Sequence, residues 1–439
     1  MGGGLNQLVF VGAQNLYLTG NPSISFFKSV YHTHTNFSME SKRLELNKSI
    51  LYFNENTQYI CKVKRHGDLV SEMYLCLDIP DIYNNNSSYE FKWVENLGEV
   101  IVEKYEIYIG GSLIDKQYGE WLHIWNELTL STDKRNIYNQ MIGNTIDLYD
   151  PKTYNNGTYP DHVLSSGLTS IKGRQLIIPF KFWFNNNLGL ALPLKGIQYQ
   201  DVEIHIELKK ITDLYLLFDG TNYIRPNSLF VDHSIDNFID TQIYNNNTYL
   251  EINPYIEANY IFLDNIELND LIKKNIEYLI EQVSRIDYSY LNNEYNMINL
   301  TLQNPVKELI WVFKRTDNKD NNKWFNFIDN DTDILKSARI LFNGLDRIED
   351  KNASYFNIIQ PYQHHTNTKN GVYVYSFSIK PSMYQPSGFC NMSMINKIQL
   401  YTVINTPLSV DYQYDISIYA VNYNFLRVLS GSANVAFNL

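Results

Sequence analysis

Few residues in this chain have types and spacing that could carry chemistry. His32-Thr33-His34 followed by Glu40 puts two imidazoles and a carboxylate in one short stretch. Such a set holds a divalent ion when both rings share a strand face and the carboxylate comes from the neighbouring turn. Metal sites of the cupin type use this pattern, but with the Glu closer to the second His and with glycines around the motif. Here Phe26 stands where the leading glycine would be, and Asn391 stands where a further His would complete the set. The pattern predicts no metal. His364-His365 is the second candidate. Adjacent residues on a strand point to opposite faces and chelate one ion poorly, so a loop or interface role is expected instead.

Nucleophilic catalysis has no better footing. Cys61, Cys76 and Cys390 show no Cys-x-x-Cys spacing, and Cys390 lies in Pro-Ser-Gly-Phe-Cys-Asn with no base placed beside it. There is no Gly-x-Ser-x-Gly elbow. Gly110-Gly111 and Gly2-Gly3-Gly4 lack the Lys-Ser/Thr of a phosphate loop. Glu349-Asp350 are neighbours in sequence, which does not supply the facing geometry of acid–base catalysis. We therefore expect no catalytic, cofactor-binding or metal-binding residues, no cofactor and no enzyme.

The composition narrows the remaining classes. With 439 residues the chain is long for one core and comfortable for two. A net charge of -11 argues against a protein that coats nucleic acid, which needs a basic footprint. The densest basic cluster, Lys62, Lys64 and Arg65, reads as a solvated strand edge. Three cysteines cannot pair completely, so reduced thiols in a cytoplasmic protein are expected. No apolar run approaches a membrane span, and the first residues lack the regions of a signal peptide. Gly2 invites comparison with a myristoylation site, but Asn6 occupies the position that wants Ser or Thr. Asn-x-Ser/Thr acceptors occur at Asn36, Asn86, Asn156, Asn246 and Asn352, among others, in loops rich in Asn.

The elements that would position these residues are mostly strands. In Val202–Leu208, Val202, Ile204, Ile206 and Leu208 face one way and Glu203, His205 and Glu207 the other. That alternation marks an antiparallel sheet with one wet face. Tyr105, Ile107 and Ile109 repeat it before the Gly110-Gly111 turn. So do Val372–Ile379, Ile398–Val403 and Ile416–Ala420. Short helices are expected at the N-terminus: one from the spacing of Leu5, Leu8 and Val9, and one after Asn21-Pro22 with Ile24, Phe27 and Val30 buried. Two further helices are predicted, over Asp115–Leu130 (Trp121, Leu122, Trp125, Leu128) and Leu271–Val283 (Ile272, Ile276, Leu279, Ile280, Val283). The stretch between Lys210 and Tyr255 has little sustained alternation and reads as the boundary between two halves.

Several stretches, in order, carry a resemblance. They begin with Gly12-Ala13-Gln14, Tyr17-Leu18-Thr19-Gly20-Asn21-Pro22, Phe26-Phe27-Lys28, and Tyr31 with His34-Thr35-Asn36-Phe37. Gly67-Asp68-Leu69, Ile109-Gly110-Gly111, Ile114-Asp115-Lys116 and Gly119-Glu120-Trp121 follow. Pro179-Phe180, Phe182-Trp183-Phe184-Asn185 and Gly189 to Leu194 form a strong signature. The second half adds Asn259 to Asp264, Glu277 to Gln282, Asn343-Gly344, Asp346-Arg347, Tyr355-Phe356-Asn357 and Gln360-Pro361-Tyr362-Gln363. Tyr375-Ser376-Phe377, Pro386-Ser387-Gly388, Cys390-Asn391, Tyr423-Asn424 and Leu426-Arg427 complete the series. Together they resemble the major capsid proteins of nucleocytoplasmic large DNA viruses. The chain departs from that pattern at His32, at Asn265–Asn269, at Met394 and in a C-terminal end with less glycine.

The resemblance implies an all-β fold of two tandem eight-stranded antiparallel jelly rolls, with short helices in the N-terminal segment and loops. It implies an inner-face segment over 1–25, a first jelly roll over 26–210, a connecting segment over 211–254 and a second jelly roll over 255–439. Three chains would form a homotrimeric capsomer of pseudo-hexameric outline, packed against neighbouring capsomers in an icosahedral shell assembled in the host cytoplasm. The inner face would meet minor capsid proteins and an internal membrane, with no direct contact to nucleic acid, and outer loops could carry glycans. Phe182-Trp183-Phe184 and Tyr373–Phe377 would serve the core rather than the trimer contact. A minor double-jelly-roll paralogue and a carbohydrate-binding jelly roll are the alternative readings.

Overall fold

Alternating apolar and polar residues build most of this protein into strands. The computed structural model describes residues 3–84, 88–162, 167–240 and 249–437. The chain divides into a unit ending at Phe37 and a unit of Ser38–Leu439. In the first unit, Gly3–Val9 and Leu16–Thr19 are short helices joined through a turn at Ala13–Asn15. The helix expected after Asn21-Pro22 does not form. Asn21 adopts a left-handed φ of 50°, which breaks the chain direction instead of capping a helix. Ile24, Phe27 and Val30, expected to be buried, are exposed.

In the second unit the first half supplies eight principal strands among the described residues. They are β1 (Phe37–Glu45), β2 (Thr57–Lys62), β3 (Leu69–Ile79), β4 (Val102–Ile109), β5 (Ser112–Tyr118), β6 (Arg174–Pro179), β7 (Val202–Leu208) and β8 (Tyr255–Leu263). The second half supplies β9 (Ile276–Leu291), β10 (Tyr295–Leu300), β11 (Pro305–Arg315), β12 (Leu335–Phe342), β13 (Leu345–Asn352), β14 (Val372–Ser376), β15 (Ile398–Ile404) and β16 (Tyr414–Leu429). Strand order in the first half is β1-β8-β3-β6 in one sheet and β2-β7-β4-β5 in the other. In the second half it is β9-β16-β11-β14 and β10-β15-β12-β13. The two patterns are the same pattern, each a jelly roll. A repeat invisible in the residues is explicit in the topology.

This pairing moves the boundary. Tyr255–Leu263, expected to open the second jelly roll, pairs with β3 through Tyr255↔Cys76 to Ile261↔Leu69 and closes the first. Tyr249–Glu251, expected in a connecting segment, pairs with Ile50–Tyr52. The passage from one roll to the next is the helix Asn265–Lys273. The segment predicted as a helix over Leu271–Val283 is therefore split. Its second part belongs to β9, which pairs with β16 from Ile276↔Val428 to Leu291↔Tyr414. Ile276, Ile280 and Val283 have the spacing of a helical stripe, but the strand buries Ile280 and Val283 on opposite faces, and cross-strand partners decide the matter.

The helix predicted over Asp115–Leu130 starts later, at Gly119, and we label it α1 (Gly119–Thr129). Asp115 belongs to β5, a hairpin partner of β4 across Gly110-Gly111. Both glycines have positive φ, which the tight turn requires. In β7 burial alternates strictly, as the residues predict. In β11 it does not: Val306 to Phe313 are all buried. One face, with Leu309, Trp311 and Phe313, lies in the core of the second roll. The other face, with Ile310 and Val312, packs under Trp121, Ile124 and Leu128 of α1. A strand covered on both sides reads as a continuous apolar run.

Because neighbouring strands are antiparallel, odd-to-even connections gather at one end of the rolls and even-to-odd connections at the other. The first end carries the long segments 80–101, 119–173, 209–254, 316–334 and 353–371. The other end has the tight turns 110–111 and 343–344 and the segments 180–201 and 377–397.

Candidate functional site

The structure disperses the residues that seemed most chemical. His34 Nδ1 lies 2.7 Å from the Thr35 carbonyl, and Glu40 lies on β1 paired with Lys42 at 2.5 Å. Among the described residues no group of three His, Cys, Asp or Glu side chains could hold an ion. His364 and His365 sit at the end of the helix Gln360–His364, not on a strand. His364 reaches the Ile379 carbonyl, while His365 Nε2 lies 2.9 Å from Glu308 Oε2, both side chains with 0% exposure. Cys61 and Cys76 are buried and unpaired. Burial pushes the Cys61 thiol up to about 12 and the Cys76 thiol up to about 11, so neither is a nucleophile at neutral pH. Lys62 ends β2, an edge strand, and pairs with Asp201 at 2.6 Å, while Arg65 donates to the Ile197 and Gln200 carbonyls. Phe182, Trp183 and Phe184 are buried in the first core and Tyr373 and Tyr375 in the second. Asn36, Asn156 and Asn352 are exposed, whereas Gly2, Asn86 and Asn246 lie outside the described residues.

What the fold does bring together is a seam between the two jelly rolls. Its apolar part is α1 against the outer face of β9-β16-β11-β14, where Trp121 meets Tyr419 at a ring distance of 5.2 Å. Beside it, Lys314 Nζ of β11 lies 2.6 Å from Glu120 Oε2, and Arg285 of β9 lies 3.9 Å from the same oxygen. Burial alone would raise the Glu120 pKa, but these two cations hold it below the usual carboxylate range. The Arg285 guanidinium also covers the Tyr118 ring at 4.7 Å.

A second polar group closes the seam further along. Glu99 Oε2 accepts from His123 Nδ1 at 2.7 Å. Its Oε1 accepts from Tyr138 at 2.6 Å and from Asn126 at 3.1 Å. With Nδ1–H donating to Glu99, His123 Nε2 accepts from the Lys369 ammonium of the second roll at 2.9 Å. The His123 ring lies flat on Phe325, also from the second roll, at 4.2 Å and 7°. Burial favours the neutral form of Glu99, yet His123, Tyr138 and Asn126 together keep its pKa below the ordinary value. Both carboxylate oxygens are occupied, so this cluster fixes geometry and has no free base.

Hydrogen bonds to backbone carbonyls lock the same surface. The Thr366 and Asn367 amides donate to the Leu128 carbonyl at 3.1 Å, and Gln282 donates to the Ile114 carbonyl. Trp324 Nε1 donates to the Asp213 carbonyl at 2.9 Å. None of these partners was legible beforehand except the α1 aromatics, because each pair joins residues far apart in the chain. Other apolar side chains remain uncovered, as at Leu229-Phe230-Val231 and at Ile358-Ile359 with Tyr362. Patches of this kind mark surfaces for partners.

Comparisons with known proteins agree with this architecture. The family described as major capsid protein N-terminus matches residues 25–264, and the family described as large eukaryotic DNA virus major capsid protein matches residues 267–434. The changeover falls where β8 ends and the linking helix begins. The chain is 34% identical over 462 residues to the major capsid protein of Pyramimonas orientalis virus, covering 100% of both. It is 29% identical to that of Paramecium bursaria Chlorella virus 1, again covering 100% of both. Among solved structures, the PBCV-1 virus capsid aligns with a TM-score of 0.71 at 24% identity, over 94% of this chain and 100% of that one. The Faustovirus major capsid protein aligns with a TM-score of 0.72 at 12% identity, over 95% and 94%.

Proposed function

The chain belongs to the major capsid protein family of large eukaryotic DNA viruses, and from that premise we propose that its working unit is a homotrimer of pseudo-hexameric outline. The protein is a structural subunit of the virion that builds the icosahedral shell with copies of itself, and it is not an enzyme. The observation that carries the trimer is the topological identity of the two rolls held by one seam. A chain with two like rolls presents two similar units side by side, so three chains around an axis offer six to their neighbours. The exposed apolar patches supply contact area of the kind that obligate interfaces bury.

The tight-turn end, where the chain enters β1, suits the inner face, toward minor capsid proteins and a membrane. The long-loop end then faces outward. Asn156, exposed with a left-handed φ of 56°, sits in the longest of those loops and is the acceptor we would examine first for a glycan. We place the domain boundary at 264–275, between β8 and β9, and assembly in the host cytoplasm.

Mass measurement of the purified native protein with electron microscopy tests this reading. The expected result is a particle three times the 51.4 kDa chain mass with a hexagonal outline. A stable monomer at micromolar concentration would overturn it.

A further inference from the structure

At the long-loop end a cavity of about 420 Å³ opens between the two rolls. The first roll contributes Lys92, Trp93, Glu95 and Asn96, and the second contributes Asn322 to Asn326 and Lys369. The chain as a whole is acidic, yet this cavity is lined by three lysines and one carboxylate. Lys369, at its rim, is held by His123 and pairs with Glu127 Oε1 at 3.9 Å, so its charge is already met. Lys92 and Lys323 have no ion-pair partner among the described residues. Lys92 instead rests over the Tyr223 ring at 3.7 Å. Burial is the main cause that lowers the Lys92 pKa, Asp150 and Glu95 oppose it, and the Lys323 charge adds to the lowering. Lys92 is half-buried and Lys323 is exposed at the cavity mouth, so an anion in the cavity would meet one partly desolvated cation and one cation at the entrance. The walls supply further donors and ring faces. Trp324 and Phe325 add aromatic surface, and Asn96, Asn322 and Asn326 add amide groups.

We propose that this inter-roll cavity binds a small phosphorylated molecule, its phosphate seated between Lys92 and Lys323. Phosphate fits better than a cation because the lining has an excess of positive charge. A purely apolar ligand would leave the half-buried Lys92 ammonium desolvated without compensation. The bound molecule would bridge the segment 92–96 of the first roll and the segment 322–326 of the second, and so stiffen the seam at its outer end.

The test uses the full-length native protein and two probes, inorganic phosphate and adenosine triphosphate, followed by calorimetric titration and by thermal unfolding. Sodium chloride at matched ionic strength separates binding from screening. Saturable binding of either probe is expected, with Lys92→Ala/Lys323→Ala weakening it about tenfold or more. Preference for adenosine triphosphate would identify a nucleotide-type ligand, and equal binding a free phosphate; both support the site. Lys323→Gln alone, which removes one exposed charge, gives the same direction should the double variant misfold. No saturable binding, stabilisation reproduced by sodium chloride, or unchanged affinity in the variants would overturn the proposal.

Discussion

Lys314 Nζ and Glu120 Oε2 lie 2.6 Å apart across the seam, one on a strand of the second jelly roll and the other at the first turn of the helix that leaves the first. Both side chains are mostly buried, so each is the principal compensation for the other's lost hydration. Glu120→Gln is expected to leave Lys314 and Arg285 undercompensated and to lower stability by roughly 2–5 kcal/mol. Replacing both residues, as in Glu120→Leu/Lys314→Leu, should recover much of that loss. Urea unfolding of the three proteins decides it, and a single variant as stable as wild type would remove the pair from the account.

Asp115 gives the seam a dependence on pH. Its carboxyl is fully buried beside β9, accepting from Gln117 Nε2 at 2.8 Å and from the Val283 amide at 3.4 Å. Burial pushes its pKa up to about 7. The unfolded chain releases this proton near pH ~3.9, so the group's contribution to stability falls as pH rises from there to about 7 and stays low above. Asp115→Asn cannot ionise. The stability of Asp115→Asn minus that of wild type should therefore grow between pH 4.5 and 8, by on the order of 2–4 kcal/mol. Denaturant titrations at several pH values measure this difference, and a constant offset would contradict the reading.

Glycine is obligatory at one position of α1 and merely convenient in a nearby turn. A Cβ on Gly119 would collide with the backbone carbonyl oxygens of Val102 and Glu99, atoms that cannot swing aside. Gly119→Ala should cost roughly 3 kcal/mol or more and reduce the yield of folded protein. Gly111, with a φ of 80° and open space around it, should tolerate Ala at about 1 kcal/mol. Thermal unfolding of the two variants ranks them, and the reverse order would refute the packing at the start of α1.

Thiol chemistry offers a direct probe of the cores. Cys61 and Cys76 are buried with raised pKa values, and Cys390 is half-buried with a more modest rise, burial being the chief cause in each. A thiol reagent at pH 8 should label the native protein at Cys390 alone, and slowly, with all three reacting in guanidinium. Prompt labelling of Cys61 in the native state would mean that the first core opens.

Much of the fold was legible because burial of one sheet face leaves a period of two in the residues. Val202–Leu208 carried that signal without interruption, Tyr105, Ile107 and Ile109 carried it beyond the irregularity between Val102 and Lys104, and the aromatic triad Phe182-Trp183-Phe184 lies in the core as its motif implied. The signal weakened where its physical premise failed. In β11 both faces are covered, so alternation disappears. In Ile276–Val283 the apolar residues have helical spacing, because as a strand the segment buries Ile280 on one face and Val283 on the other, and the hydrogen bonds to Val428–Val421 chose the strand.

Sequence alone determined that the chain is β-rich and belongs with double-jelly-roll capsid proteins, because strand periodicity and ordered motifs are local properties. It could not determine which strand closes each roll or what holds the rolls together. Tyr260 pairs with Val70, and Lys369 meets His123; neither residue carries a mark of its partner. Those choices follow from chain path and mutual burial, which arise only when distant segments are packed, and the tertiary structure decided them.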